Sequence, residues 1–285
     1  MSIPFAQLLR MTHPVFKGRM WATMYRAYLD ESSEMGDAVF SVGGFGGREE
    51  EWIAIEPQWL EALPRGIEYF HATDCFGGRG QFSGMDIPAR VALLDKLTDL
   101  ILDRKLYLVA GVIDVPAYNQ FSPRHLENEF WGNKYAAAFS IPVQATCELQ
   151  NKPTPYPETG GELCAFFIEE NEYAPSAQRA LYAMKNDPRL WWRERIGNLT
   201  PGPKKGPAAI PLLQVGDLGA FLAAKKIADT KDGRIPWRAY YEKLLNARRI
   251  FCAMHVDERS IKTFHKLHED LKREQTEGRN YWDDL

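Results

Sequence analysis

The hydrophobic and polar positions along the chain alternate between short apolar runs and longer segments with helical spacing. The short runs predict five strands: Met24–Asp30, Ala38–Val42, Leu106–Val115, Leu163–Ile168 and Leu190–Ile196. Only the turn Ser32–Gly36 separates the first two, so they are expected to form an antiparallel hairpin. Strands that alternate with helices predict an α/β fold over a mixed sheet.

Apolar residues recur every three to four positions in the segments between and after these strands. The helices predicted from this spacing are Glu49–Leu63, Ile87–Arg104, Glu129–Leu149, Pro175–Lys185, Pro211–Ala228, Trp237–Phe251 and Glu258–Thr276. Pro142 is expected to bend or break the third of them. The segment Gly197–Ala209 holds three prolines and is predicted to be a flexible connector. The glycine run Gly43–Gly47 lacks a following Gly-Lys-Ser/Thr, which argues against a phosphate-binding loop.

The composition is that of a globular protein, with 285 residues of which 45% are hydrophobic and 26% charged. These fractions exclude a disordered, collagenous or coiled-coil chain. No internal repeat, low-complexity tract or long linker divides the sequence, so a single domain spanning 1–285 is predicted. The eight tryptophans fit either a surface for a protein partner or a second copy, or ordinary core packing.

Cysteine usage and the terminal segment indicate the compartment. Four cysteines without a C-x-x-C pair make neither a zinc framework nor a disulfide scaffold. The segment Met1–Phe16 lacks the pattern of a signal peptide. The apolar segment Pro211–Ala228 carries Gln214 and Asp217 within it, which favours a buried helix over a membrane span. We therefore expect a cytoplasmic protein without membrane association.

The net charge of −3 excludes a wholly basic nucleic-acid binder, but the charge is unevenly distributed. Between Lys185 and Arg249 there are 14 basic and 6 acidic residues, a net +8, so the rest of the chain carries −11. Cations interleaved with tryptophans suit a single-stranded nucleic acid, whereas the alternative is a strand with a solvated basic face. The candidate nucleic-acid contacts are Arg189, Arg193, Lys204 and Lys205.

Pairs of carboxylates follow two of the predicted strands. Asp30 and Glu31 end the first strand, and Glu169 and Glu170 follow the fourth. The carboxyl ends of strands form the usual ligand crevice of α/β sheets. The alternatives are a turn at the first pair and an exposed loop start at the second.

Asp217 is the most informative single residue, because it lies in the middle of an otherwise apolar helix. A carboxylate buried there must be paired, neutral or bound to a metal, and an arginine partner or a capping role is the alternative. Carboxylates that converge from two strand ends and a helix suit Mg²⁺ or Mn²⁺. Two such ions would make a nuclease-type site for phosphodiester hydrolysis.

Several motifs, in this order, resemble domain-of-unknown-function family 3800. The family reads D-E-S-G with a V-G-G strand, then H-A-T-D with G-K-G-F, then F-D-E-N, and finally L-Q-x-A-D-L-L-A. The matching segments here are Tyr28–Ser33, Phe40–Gly44, Phe70–Asp74, Gly78–Phe82, Phe167–Asn171 and Pro211–Gly219. Ser33 stands in place of the family's Gly, and Glu169 in place of its Asp.

The resemblance implies a ribonuclease H-like fold with metal ligands at Asp30, Glu169 and Asp217. It implies a five-stranded mixed sheet with a core at about 22–230, an insertion at about 45–105 after the second strand, and a helical C-terminal extension at about 231–285. It also associates the chain with prokaryotic anti-phage defence and mobile elements.

A metal-dependent nuclease acting on RNA or DNA is therefore the predicted function. The expected catalytic set is Asp30, Glu31, Glu169, Glu170, Asp217 and His71, the last as an acid, base or phosphate contact. The glutamates Glu31 and Glu170 are auxiliary ligands or bases in this scheme. The alternatives are a catalytically silent nucleic-acid-binding or assembly module and a different metal-dependent phosphoesterase.

Overall fold

The computed structural model describes residues 15–16, 19–20, 23–34, 36, 38–121, 133–149, 162–228, 235–263 and 266. Its centre is a mixed sheet of six strands: β1 (Thr23–Glu34), β2 (Val39–Arg48), β3 (Tyr107–Asp114), β4 (Leu163–Glu169), β5 (Ile196–Gly202) and β6 (Ile250–Val256). They lie in the order β5-β4-β1-β2-β3-β6. The first three form an antiparallel meander, β4 and β5 run parallel to β1, and β6 runs parallel to β3.

Helices cover both faces of this sheet. They are α1 (Glu49–Ala62), α2 (Ala72–Gly77), α3 (Ile87–Leu102), α4 (Val115–Phe121), α5 (Lys134–Glu148), α6 (Ala174–Asn186), α7 (Leu213–Ala228) and α8 (Trp237–Asn246). One core lies between the sheet and α1, α3, α7 and α8, and the other between the sheet and α5 and α6. None of the helices in the described ranges is long and apolar enough to cross a membrane.

The α/β class and the mixed sheet are confirmed, but the prediction of five strands was wrong. The sixth strand, β6, lies where the sequence predicted helix up to Phe251 and a helical extension beyond it. Helix α8 ends near Ala247, and Arg248 adopts a left-handed conformation with φ of 55°. This turn has no glycine or proline to mark it, so the apolar run after it resembled a continued helix. Of the predicted helix Glu258–Thr276, residues 258–263 are helical and most of the remainder lies outside the described residues.

The fifth strand also lies elsewhere than predicted. Residues of the predicted strand Leu190–Ile196 form turns and the 3-10 helix Arg193–Arg195, and β5 follows in the segment predicted to be a connector. Its sequence contains Pro201, which cannot donate to a neighbouring strand. Because β5 is an edge strand, the missing N–H does not remove a hydrogen bond between strands.

Glycines in β2 allow α7 to approach the sheet closely. The strand continues through the glycine run to Arg48, so the insertion begins with α1 rather than at residue 45. A Cβ at Gly44 would lie 1.9 Å from the carbonyl oxygen of Tyr28, and one at Gly219 would lie 2.8 Å from Gly44 Cα. The glycine run therefore allows α7 to pack closely on the sheet. Helix α5 continues through Pro142, so the predicted break is absent from it.

Candidate metal centre

Carboxylates from two neighbouring strands and a helix meet at one end of the sheet. Strands β1 and β4 are parallel, and Leu29 pairs with Ile168, which places Asp30 beside Glu169. Helix α7 packs on β1 and brings Asp217 to the same end. Asp30 and Asp217 are buried, at 3% and 4% exposure.

The group at the centre of these three carboxylates is a lysine ammonium. Lys204 Nζ lies 2.6 Å from Asp30 Oδ2, 3.1 Å from Glu169 Oε2 and 3.6 Å from Asp217 Oδ1. Burial lowers the pKa of this lysine, but the three carboxylates outweigh burial and raise the pKa well above its ordinary value. Lys204 is therefore a fixed positive charge in the site.

Sequence reasoning missed this role of Lys204 and grouped it with the nucleic-acid contacts. The residue follows the end of β5, and its loop is closed by a hydrogen bond of 2.8 Å that Ile210 N donates to the Pro203 carbonyl. The informative signal would have been a lysine just beyond the end of a strand parallel to β4. That signal was hidden because β5 was predicted six residues too early.

Glu31 completes a group of oxygens with the dimensions of a cation site. One carboxylate oxygen from each of Asp30, Glu31 and Glu169 lies within 4.8 Å of the others. Asn171 Nδ2 donates a hydrogen bond of 2.5 Å to Glu31 Oε1 and so orients that carboxylate. Asn171 is a second residue that sequence reasoning assigned no role, although it lies in the motif that ends β4.

The burial of several carboxyl groups close together raises the pKa of two of them. Burial, and then the nearby Glu169 and Asp217, raise the pKa of Glu31 to about 7, although Lys204 opposes the shift. Burial also raises the pKa of Asp30 well above its ordinary value, against the effect of Lys204 and with that of Asp217. These two carboxyl groups therefore retain their protons to higher pH than exposed carboxyl groups do.

Asp217 has a structural partner as well as a place in the cluster. Its Oδ2 accepts a hydrogen bond of 2.6 Å from Ala72 N at the start of α2. Gln214, one turn earlier on α7, accepts hydrogen bonds from Phe70 N at 2.8 Å and Trp59 Nε1 at 3.3 Å. Through these hydrogen bonds, Gln214 and Asp217 join the inserted segment to the core. The bond from Ala72 is the capping role that the sequence offered as an alternative for Asp217, and it uses one of the two carboxylate oxygens.

His71 and Glu170 lie at the margin of the cluster. His71 Nδ1 is 3.0 Å from Asp74 Oδ2, and its side chain is about one-third exposed. Glu170 is exposed, and its backbone N–H donates to the Gly202 carbonyl at 2.9 Å. Of the two glutamates that follow β4, Glu169 is the one that the structure places against Asp30 and Lys204.

The basic stretch of the sequence is divided between the two ends of the sheet. Arg189 and Arg193 precede β5, whereas Lys204 and Lys205 follow it, and the strand between them is about 20 Å long. Arg189 is paired with Asp187 at 2.7 Å. Lys205, the next residue after Lys204, is exposed, with its Nζ 5.5 Å from the centre of the Tyr69 ring. The predicted contacts therefore do not form one continuous surface with the carboxylates.

The donor set fits a hard divalent cation. All of its ligand atoms are carboxylate oxygens, the type that Mg²⁺ and Mn²⁺ prefer. Within the part of the chain that the structure describes, Lys204 is the ammonium placed against Asp30, Glu169 and Asp217, and Glu31 adds a fourth carboxyl group to the cluster.

A scan against protein-family models finds no match to this chain, and searches of curated proteins and of solved structures also find none. The resemblance drawn from the motifs, and the association with defence that it implies, therefore stay predictions. The fold and the site define the chain as an α/β protein with a partly buried acidic cluster on two adjacent parallel strands, at the carboxyl end of β4.

Proposed function

We propose that this chain is a divalent-metal-dependent nuclease with a ribonuclease H-like core. The observation that carries the proposal is the grouping of one carboxylate oxygen from each of Asp30, Glu31 and Glu169 within 4.8 Å of one another. The order β3-β2-β1-β4-β5 supports it, because a three-stranded meander followed by two parallel strands is the arrangement that the motif resemblance implies. In this view β6 and α8 are additions to the core.

Each residue of the cluster has a role in this proposal. Asp30, Glu31 and Glu169 would hold Mg²⁺ or Mn²⁺, which lowers the pKa of a bound water and stabilises charge on the phosphate. Without the ion, burial raises the pKa of Glu31 to about 7, and a bound cation would lower that pKa and displace the proton. Lys205 and Tyr69, at the exposed margin, would contact the backbone and a base of the strand being cleaved.

A catalytically silent nucleic-acid-binding module is the second candidate. The observation that favours it is Lys204, because an ammonium already balances part of the charge that a metal ion would balance. A phosphoesterase acting on nucleotides would share the metal site and differ in its substrate.

Cleavage of labelled single-stranded and double-stranded RNA and DNA with Mn²⁺ tests the proposal. We expect Asp30→Asn and Glu169→Gln to lower the rate by roughly 10²-fold or more, because several kcal/mol of transition-state stabilisation is lost with a metal ligand. Glu172→Gln is the matched control and should retain activity, since this side chain is exposed and outside the cluster.

The outcomes separate the candidates. Absence of cleavage of every nucleic acid by the wild type, together with Mn²⁺ binding that Asp30→Asn leaves unchanged, contradicts the nuclease. Binding of nucleic acid without metal or turnover would identify the silent module. Hydrolysis of nucleotide phosphoesters alone would identify the phosphoesterase.

A further inference from the structure

Lys204 brings a positive charge into the part of the site where the proposed function needs cations. Its ammonium has three N–H donors, and the three carboxylates of Asp30, Glu169 and Asp217 surround it. The ammonium donates a hydrogen bond to Asp30 Oδ2 and lies within ion-pair distance of Glu169 and Asp217. In this position Lys204 serves the protein's own carboxylates, in contrast to the exposed Lys205 beside it.

The four carboxylates form two overlapping groups of three. Asp30, Glu169 and Asp217 surround the lysine nitrogen, whereas Asp30, Glu169 and Glu31 have the dimensions of a cation site. Glu31 is fixed by Asn171, and Asp217 by the backbone of Ala72. The two groups share two members and differ in the third.

A second metal ion cannot occupy the first group while the lysine is there. A divalent ion would need carboxylate oxygens at about 2.0–2.2 Å, and Lys204 Nζ already lies 2.6 Å from Asp30 Oδ2. The lysine is also held in place, because its side chain is 7% exposed and the Ile210–Pro203 hydrogen bond closes its loop. Moving it out would leave buried carboxylates without a partner.

We propose that the Lys204 ammonium is a permanent second cation of this site, so that the protein binds one divalent ion, on Asp30, Glu31 and Glu169. The inference rests on the proposed function, since it takes the cluster to be a metal site. Lys204 is a positioning residue: it neutralises Asp30 and Asp217 and sets the direction of the oxygens that Asp30 and Glu169 offer to the metal.

Calorimetric titration of the metal-free protein with MnCl₂ counts the ions directly. We expect one Mn²⁺ per chain for the wild type and two for Lys204→Met, because the uncharged side chain frees the second group of carboxylates. Lys225→Met is the matched control. It removes another largely buried lysine from an ion pair, with Glu34 at 2.8 Å, and should leave the count at one.

Asp217→Asn provides a second measurement that does not depend on how Lys204→Met folds. The asparagine Oδ1 can still accept the hydrogen bond from Ala72, and Asp217 belongs to the lysine's group. We expect one Mn²⁺ to bind this variant with an affinity within a few-fold of the wild type. Glu31→Gln, in the other group, should weaken binding by more than tenfold.

Each result decides between the two proposals. Two ions in the wild type, an unchanged count of one in folded Lys204→Met, or loss of the ion in Asp217→Asn overturns the role of Lys204 and leaves the metal site standing. No Mn²⁺ bound by the wild type overturns the proposed function, and the inference with it.

Discussion

At the scale of single residues, the chemistry of this protein depends on how burial and neighbouring charges act on Asp30, Glu31 and Lys204. The surroundings shift the pKa of each of these three side chains from its ordinary value. Burial raises the pKa of both carboxyls, while the carboxylates keep the lysine charged despite its own burial. The sequence predicted Asp30 and Glu31 at the end of a strand, whereas the structure places them inside β1, which continues to Glu34. It missed Lys204 because the strand before it was misplaced.

Glu31 makes the stability of the metal-free protein dependent on pH. Its pKa of about 7 in the folded state lies above the ordinary 4.5, so its contribution to stability is complete below about pH 4.5 and is lost as the pH rises through 7. We expect the free energy of unfolding of the wild type to fall by on the order of 1–3 kcal/mol more than that of Glu31→Gln between pH 5 and pH 8. Urea unfolding in the presence of a chelator measures this difference. Equal losses in the two proteins would show that Glu31 is not the cause.

At the scale of elements, helix α7 and the glycine-containing strand β2 determine where Asp217 lies. The sequence predicted α7 well, since its apolar spacing and its polar stripe of Gln214 and Asp217 are local properties. It gave no sign that the glycines of β2 lie under this helix. The edge strand β5 escaped prediction because Gly, Asn and Pro are typical of loops, and only its place at the edge of the sheet makes them compatible with a strand.

Gly219→Ala tests this close packing. The added methyl group would lie 2.8 Å from Gly44 Cα and 3.0 Å from Phe45 Cε2, so the helix must shift away from the sheet. We expect a loss of about 1–3 kcal/mol in the free energy of unfolding, somewhat reduced by the better helix propensity of alanine. Gly84→Ala is the control, because no atom lies within 4 Å of the added methyl, and chemical denaturation should show little change. A Gly219→Ala protein as stable as the wild type would contradict the packing described for α7.

At the scale of the whole molecule, the sheet separates charges that are close together in the sequence. The net +8 between Lys185 and Arg249 left open either a nucleic-acid-binding face or a solvated basic face. In the structure β5 carries Arg189 and Lys205 to opposite ends, about 20 Å apart, and Asp187 neutralises Arg189. Under the proposed function, the surface near Lys205 and Tyr69 is the part that would contact a nucleic-acid strand.

The salt dependence of nucleic-acid binding distinguishes these two cations. If the proposed function holds, Lys205→Ala removes a phosphate contact and should lower the slope of log K against log salt by about 0.7–0.9. Arg189→Ala should leave the slope unchanged, because its guanidinium is engaged by Asp187. Fluorescence anisotropy with a single-stranded oligonucleotide over a range of salt concentrations gives both slopes. An equal effect of the two substitutions would show that both cations belong to one nucleic-acid-binding surface.

The sequence by itself determined the α/β class, four of the strands, the helix α7 and the three carboxylates, because hydrophobic periodicity and residues at strand ends are local signals. The tertiary structure alone decided three things: the sixth strand, the division of the basic stretch, and the place of Lys204 among Asp30, Glu169 and Asp217. These features depend on hydrogen-bonded pairing between distant segments and on the charges that neighbouring side chains place around a buried group. No local sequence pattern encodes either of them.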